Sequence, residues 1–108
     1  MTRIIEAVGA YDEKENMYIA TYRCGVTVST VKGKTQNTLH LKSDIGTIRA
    51  VEHAMAANSS SDYLIYHNSE LLRDVLADRK RPNYPEVAKA YKLLKPYSRC
   101  IKYKGGLE

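Results

Sequence analysis

The 108-residue chain has no stretch near the roughly 18 consecutive apolar residues of a membrane-spanning helix, which excludes that class of integral membrane protein. Its first residues, MTRIIEAVGAYDE, lack the apolar core of a secretory signal, so a cytoplasmic location without membrane association is expected. It has only two cysteines, Cys24 and Cys100. They are too few and too far apart for a zinc-ligand pattern and give no disulfide framework; buried free thiols in strands are expected. No phosphate-cradling glycine motif and no internal repeat occurs. His40 and His53 lack ligand spacing to one another, and nothing places a base beside the serines Ser59 to Ser61.

What is present fits one α/β domain. With 44% hydrophobic and 27% charged residues over this length, a single domain across residues 1–106 is expected. Leu107 and Glu108 follow a Gly-Gly pair and read as a possible tag remnant. The net charge of +5 is concentrated late in the chain. Up to Leu72 there are seven Lys or Arg against eight Asp or Glu, and from Arg73 onward ten against four. Such asymmetry points to a polyanionic partner or to a solvated basic face.

Hydrophobic periodicity supplies the elements. Arg3 to Tyr11 reads as a strand, and Asp12 to Asn16 as a polar turn. Tyr18 to Val31, dense in β-branched and aromatic residues, reads as one long strand. Lys32 to Lys34 is the expected hairpin turn, and Gln36 to Lys42 a third strand with Leu39 and Leu41 on a common face. Ser43 is positioned to cap a helix whose Ile45, Ile48, Val51 and Met55 form one apolar stripe, with Asp44 suiting the dipole of its first turn. Tyr63 to Tyr66 reads as a strand buried on both faces, followed by a helix capped by Asn68 or Ser69. Pro85 opens a further helix that Pro96 ends, and Ser98 to Lys104 gives a fifth strand. Three hairpin-linked strands followed by strands reached through helices imply a five-stranded mixed sheet, antiparallel and then parallel, with about three helices.

This order of elements resembles ribonuclease H and its relatives. The features that carry the resemblance are the strand-to-Gly-Val step at Gly25-Val26, the helix after the third strand, and the strand ending in Asn68-Ser69 before Leu71 and Leu72. A helix leading into IKYKG at Ile101 to Gly105 adds to it. The resemblance covers nearly the whole chain and implies a magnesium-dependent endonuclease acting on the RNA strand of RNA:DNA hybrids. In that family four carboxylates hold two metal ions at the scissile phosphate. Carried onto this sequence, the metal ligands are Asp12, Asp44 and Asn68, with Asp12 and Asn68 at the catalytic positions. Gly46 stands near the expected helix position, with Asp44 a half-turn earlier and Glu52 nearly two turns later. The fourth carboxylate would follow IKYKGG, where the sequence stops, so the chain reads as a degenerate or truncated member.

Each of these residues also has a plainer reading: Asp12 as a solvated turn residue, Asp44 as a helix-dipole partner, Asn68 as a helix cap, and the adjacent His67 as a structural histidine. The basic third interleaves Tyr84, Tyr91, Tyr97 and Tyr103 with cations, a composition suited to phosphates and base faces. Arg79, Lys80, Arg81, Lys89 and Lys92 are the candidate nucleic-acid contacts, and Tyr91 is expected in the core. The functional expectation is a nucleic-acid-binding domain for a duplex or RNA:DNA hybrid, with an incomplete magnesium site and weak or no cleavage. An active ribonuclease and a protein-interaction module are the alternatives.

Overall fold

The computed structural model describes residues 2–107, and the sheet it contains runs in the order β3-β2-β1-β4-β5. Its strands are β1 (Arg3–Asp12), β2 (Met17–Cys24), β3 (Thr27–Gly33), β4 (Tyr63–His67) and β5 (Ile101–Tyr103). The first three pair antiparallel as a meander, while β4 joins β1 and β5 joins β4 in parallel. Four helices accompany them: α1 (Thr38–Leu41), α2 (Ser43–Ala57), α3 (Glu70–Leu76) and α4 (Pro85–Leu94). This is the expected five-stranded mixed α/β sheet, antiparallel across its first three strands and parallel at β4 and β5.

Several local expectations are corrected. The long strand from Tyr18 is two strands, because Gly25 takes a left-handed φ of 63° and Gly25-Val26 forms the two-residue loop between the paired Cys24 and Thr27. A two-residue hairpin with glycine first matches the right-handed strand twist, and it leaves Val26 fully exposed. The third strand is therefore Thr27–Gly33, and Lys32 to Lys34 is not the turn. Gln36 to Lys42 contains the single-turn helix α1 instead of a strand. Helical geometry separates the two leucines expected on one face, with Leu41 5% exposed and Leu39 57%. The Glu86 carboxylate holds this segment by accepting from the Asn37 backbone N–H (3.1 Å) and side-chain amide (2.8 Å).

Ser43 is the first residue of α2 and not its cap, since Lys42, at φ 51°, occupies that position and ties its N–H to Thr38 O. After α4 the chain continues through Pro96 as a 3-10 helix, Lys95–Cys100, which shortens β5 to three residues. Both cysteines are free and only half-buried, Cys24 at the end of β2 and Cys100 in the 3-10 helix.

The core lies between one face of the sheet and the helices. Ile5, Ala7, Tyr18, Ala20, Ile65 and Ile101 from that face meet Ile45, Ile48 and Val51 of α2, Leu72 and Val75 of α3, and Leu94 of α4. β4 is buried on this face only, at Ile65 and His67, while Leu64 and Tyr66 are half-buried. On the opposite face Ile4 is 52% exposed. The sheet and α2 approach each other closely at two glycines: a Cβ at Gly9 would overlap the Thr47 nitrogen and the Ser43 carbonyl, and one at Gly46 would crowd the Ile19 carbonyl and lie 3.0 Å from Gly9 Cα. Backbone-on-backbone contact of β1 with α2 sets the depth of the helix against the sheet.

Candidate nucleic-acid interface

At its carboxyl end β4 delivers His67, Asn68 and Ser69 to the start of α3, where side-chain bonds knit three elements together. Ser69, with extended backbone, is the α3 cap: its Oγ accepts the Leu72 N–H at 3.1 Å and donates to Asp44 Oδ1 at 2.9 Å. Asn68 is thus not the cap. Its Oδ1 accepts from Thr47 Oγ1 of α2 at 3.0 Å, and its Nδ2 donates to the Leu107 carbonyl at 2.9 Å. Leu107, set aside on sequence grounds, is 8% exposed and closes against this amide.

The three residues named as metal ligands do not assemble. The parallel register of β1 with β4 ends at Ala7 opposite His67, so the β1 residue level with Asn68 is Val8. Asp12 lies five residues beyond Ala7, about 16 Å along the strand at a 3.3 Å rise, and pairs with Met17. There its Oδ1 accepts the Glu15 N–H at 3.2 Å and shapes the hairpin. Counting along the sequence reaches Asp12, but the pairing brings an apolar residue to the position the resemblance assigns to a carboxylate. The recess beside Asn68, about 320 Å³, is lined by Val8, Gly9, Ala10 and Thr21 and contains no ionisable side chain. Among the described residues no group of three or more His, Cys, Asp or Glu could hold a metal ion. A two-metal centre needs carboxylates to offset the repulsion of two cations, and one half-buried aspartate beside a neutral amide, already bonded once through its oxygen and once through its nitrogen, does not fit it.

Asp44 belongs to a different arrangement. Its cleft, about 300 Å³, is lined by His40, Lys80, Arg81, Asn83 and Tyr84 as well as Asp44 itself. Burial pushes the Asp44 carboxyl above its usual range, opposed by the Ser69 hydrogen bond and by the Lys80 cation. The His40 and Tyr84 rings stack, with centroids 6.1 Å apart and planes 15° from parallel. A second concavity, about 400 Å³, adjoins it on Arg79, Lys80, Arg81, Pro82 and Tyr91.

The loop carrying these cations has a firm base. Asp78, at a left-handed φ of 60°, accepts from the Tyr91 hydroxyl at 2.6 Å and from Lys95 Nζ at 2.8 Å, and Lys95 also donates to the Leu76 carbonyl at 2.6 Å. These partners hold the Asp78 carboxyl below its usual range, Lys95 first. Tyr91 therefore packs on the edge of the core with its hydroxyl clamping the loop. Arg73 is engaged by Asp74 at 3.0 Å and by Glu70 at 3.8 Å. In contrast, Arg79, Lys80, Arg81, Lys89 and Lys92 are all exposed, and none forms an ion pair among the described residues. Lys89 and Lys92 project from α4, whose Val87, Ala90 and Leu94 face inward.

The tertiary structure thus joins Asp44, nominated as a ligand, to Lys80 and Arg81, nominated as phosphate contacts. It adds His40 and Asn83, which sequence reasoning did not place. His40 reads as part of a strand between Leu39 and Leu41, and no ligand spacing in the sequence singles it out.

No protein-family model and no curated protein matches the chain. Among solved structures, the chain is similar to the N-terminal RNase H domain of Rv2228c from Mycobacterium tuberculosis, determined as a fusion with maltose-binding protein. The superposition has a TM-score of 0.62 at 13% identity and covers 99% of this chain and 80% of the other. At that identity the likeness establishes the fold: this chain has the architecture of an RNase H domain.

Proposed function

We propose that this ribonuclease H-like chain binds the phosphate backbone of a nucleic-acid duplex, with an RNA:DNA hybrid as the leading substrate class, and does not cleave it. The observation that carries the reading is the contrast among the cations of the C-terminal third. Arg73 and Lys95 are tied to carboxylates, whereas Arg79, Lys80 and Arg81 form no ion pair among the described residues and line clefts shared with the aromatic rings of His40, Tyr84 and Tyr91 and with Asp44 and Asp78. Unpaired arginine and lysine release condensed counterions on meeting phosphates, and aromatic faces stack on bases or sugars. Lys89 and Lys92 extend the basic surface along α4. The donor set supports the non-cleaving reading: among the described residues Val8 stands level with Asn68, where the resemblance assigns a first carboxylate, and Asn68 itself replaces a third, so magnesium meets no cluster of carboxylates there.

The test is the binding of a labelled hybrid to the full chain across a salt series. Affinity should fall linearly in log–log form, and replacing Arg79, Lys80 and Arg81 by alanine should reduce the slope by about 1 for each phosphate no longer neutralised. Salt-independent binding, or a triple variant that binds unchanged, overturns the interface. Magnesium-dependent hydrolysis of the hybrid by the purified chain, abolished in Asp44→Asn, overturns the non-cleaving reading.

A further inference from the structure

The carboxyl ends of β4 and β5 border a second recess that neither the fold nor the basic loop accounts for. It measures about 200 Å³ and is lined by His67, Arg73, Leu76, Ser98, Ile101 and Tyr103, with Ala77 at its edge. β4, β5, α3 and the 3-10 helix all contribute to it. His67 is 1% exposed, and its Nδ1 accepts the Ser69 N–H at 3.2 Å. That bond assigns the ring proton to Nε2, which therefore is a donor. No protein acceptor meets Nε2 among the described residues, yet no buried side-chain polar atom is left unpaired there. Among the cavities bordered by the described residues, this recess is the one that His67 lines.

Arg73 forms the other wall. Its guanidinium lies 4.6 Å from the centroid of the Tyr103 ring, which in turn meets His67 edge-on at 5.9 Å. Nε and Nη2 of Arg73 face Asp74 and Glu70, while Nη1 has no partner among the described residues. Both of those pairs are partly solvent-exposed and engage Nε and Nη2, so Arg73 stays tied to its carboxylates and offers Nη1 alone to a new anion. The Ser98 hydroxyl adds a third polar group. A neutral imidazole N–H, a guanidinium and a hydroxyl belong to residues around one small space, and the two carboxylates on Arg73, Asp74 and Glu70, are not among the residues that line it. Burial and the neighbouring Arg73 lower the His67 pKa to about 4, which keeps the ring a neutral donor at physiological pH.

We propose that this recess is a phosphate-group site, with His67 Nε2–H, Arg73 and the Ser98 hydroxyl as its donors. Its volume is below the roughly 300 Å³ at which pockets begin to hold drug-sized ligands, so it suits a phosphate group and not a whole nucleotide. The phosphate comes either free from solution or from the end of a nucleic-acid strand. The site does not depend on duplex binding by the Arg79 to Arg81 loop.

Titrating the full chain with inorganic phosphate at constant ionic strength, with the histidine ring and arginine Nε signals followed by NMR, tests it. A saturable shift of His67 and Arg73 in the millimolar range is expected. Arg73→Ala should weaken it roughly tenfold, the usual cost of a charge-assisted bond, and Ser98→Ala by less. A triple alanine variant at Arg79, Lys80 and Arg81 should leave it unchanged. A 5′-phosphorylated dinucleotide that binds tighter than inorganic phosphate, while its unphosphorylated form does not bind, assigns the source to a strand end; equal binding of the phosphorylated form and phosphate assigns it to free phosphate. An unmoved His67 signal, or a His67 shift that persists undiminished in Arg73→Ala, overturns the proposal. Backbone amide spectra of each variant separate loss of binding from loss of fold.

Discussion

The Ser69 hydroxyl donates to the Asp44 carboxylate at 2.9 Å while accepting one of the orphan N–H groups in the first turn of α3, that of Leu72. One hydroxyl therefore caps a helix and ties the end of β4 to the start of α2. It also supplies the half-buried Asp44 with a partner that partly offsets the cost of its desolvation. Ser69→Ala removes all three effects. A loss of about 1–2 kcal/mol is expected from the cap alone, at the upper end because Asp44 is left without its donor, and urea denaturation at neutral pH measures it.

Asp44→Asn separates the two readings of the cleft. Asparagine keeps an oxygen for Ser69 and removes a carboxylate that burial disfavours, so folding stability at pH 7 should be unchanged or higher. Removing an anion beside Lys80 should also strengthen hybrid binding, by roughly two- to fivefold for the loss of one weakly screened charge. Anisotropy at fixed salt reads this out. Weaker binding by the variant would show that Asp44 takes part directly in ligand or metal binding.

His67 predicts an acid sensitivity. Its folded pKa of about 4 lies below the ordinary value of 6.5, so the unfolded chain binds the extra proton between those values. Stability from this group is present above pH 6.5 and is lost as pH falls through 4. A shift of this size corresponds to a loss of about 3 kcal/mol at most. Denaturant midpoints measured from pH 7 to pH 4 should fall less steeply in His67→Gln than in the parent chain.

Gly9→Ala should be among the most damaging small substitutions. The added methyl has backbone on its far side, at Thr47 and Ser43, and no flexible side chain can yield. A loss of about 3 kcal/mol or more is expected, with α2 displaced from the sheet. The midpoint of thermal unfolding checks it, and Gly25→Ala is a useful contrast, since that position has open space and only its left-handed φ opposes a side chain.

Much of this architecture is legible in local pattern. The apolar stripe from Ile45 to Met55, Pro85 at the head of α4 and the alternation around Tyr22 and Cys24 each specify an element through contacts a few residues apart. Errors arose where two local readings were equally good. Leu39 and Leu41 alternate as a strand would, whereas Thr38 folds back onto Thr35 and Glu86, 49 residues away in sequence, grips Asn37, and together they hold that segment as a helical turn. Similarly, a run as rich in strand formers as Tyr18 to Val31 does not declare where it folds back; the left-handed Gly25 decides it.

The candidate site divides along the same line. Composition by itself determined that the chain carries its excess positive charge after Arg73, and that an amide stands at position 68 where the resemblance assigns a carboxylate. Neither depends on the fold, because charge and functional group belong to the residue. Tertiary structure alone decided which groups meet: Val8 and not Asp12 beside Asn68, Asp44 with Lys80 and Arg81, His67 with Arg73. Strand register and helix docking are set by contacts between distant segments, and a shift of one residue in register exchanges the two faces of a strand. A set of chemically suitable residues therefore becomes a site only when the pairing of β1 with β4 and the packing of α2 on both are known.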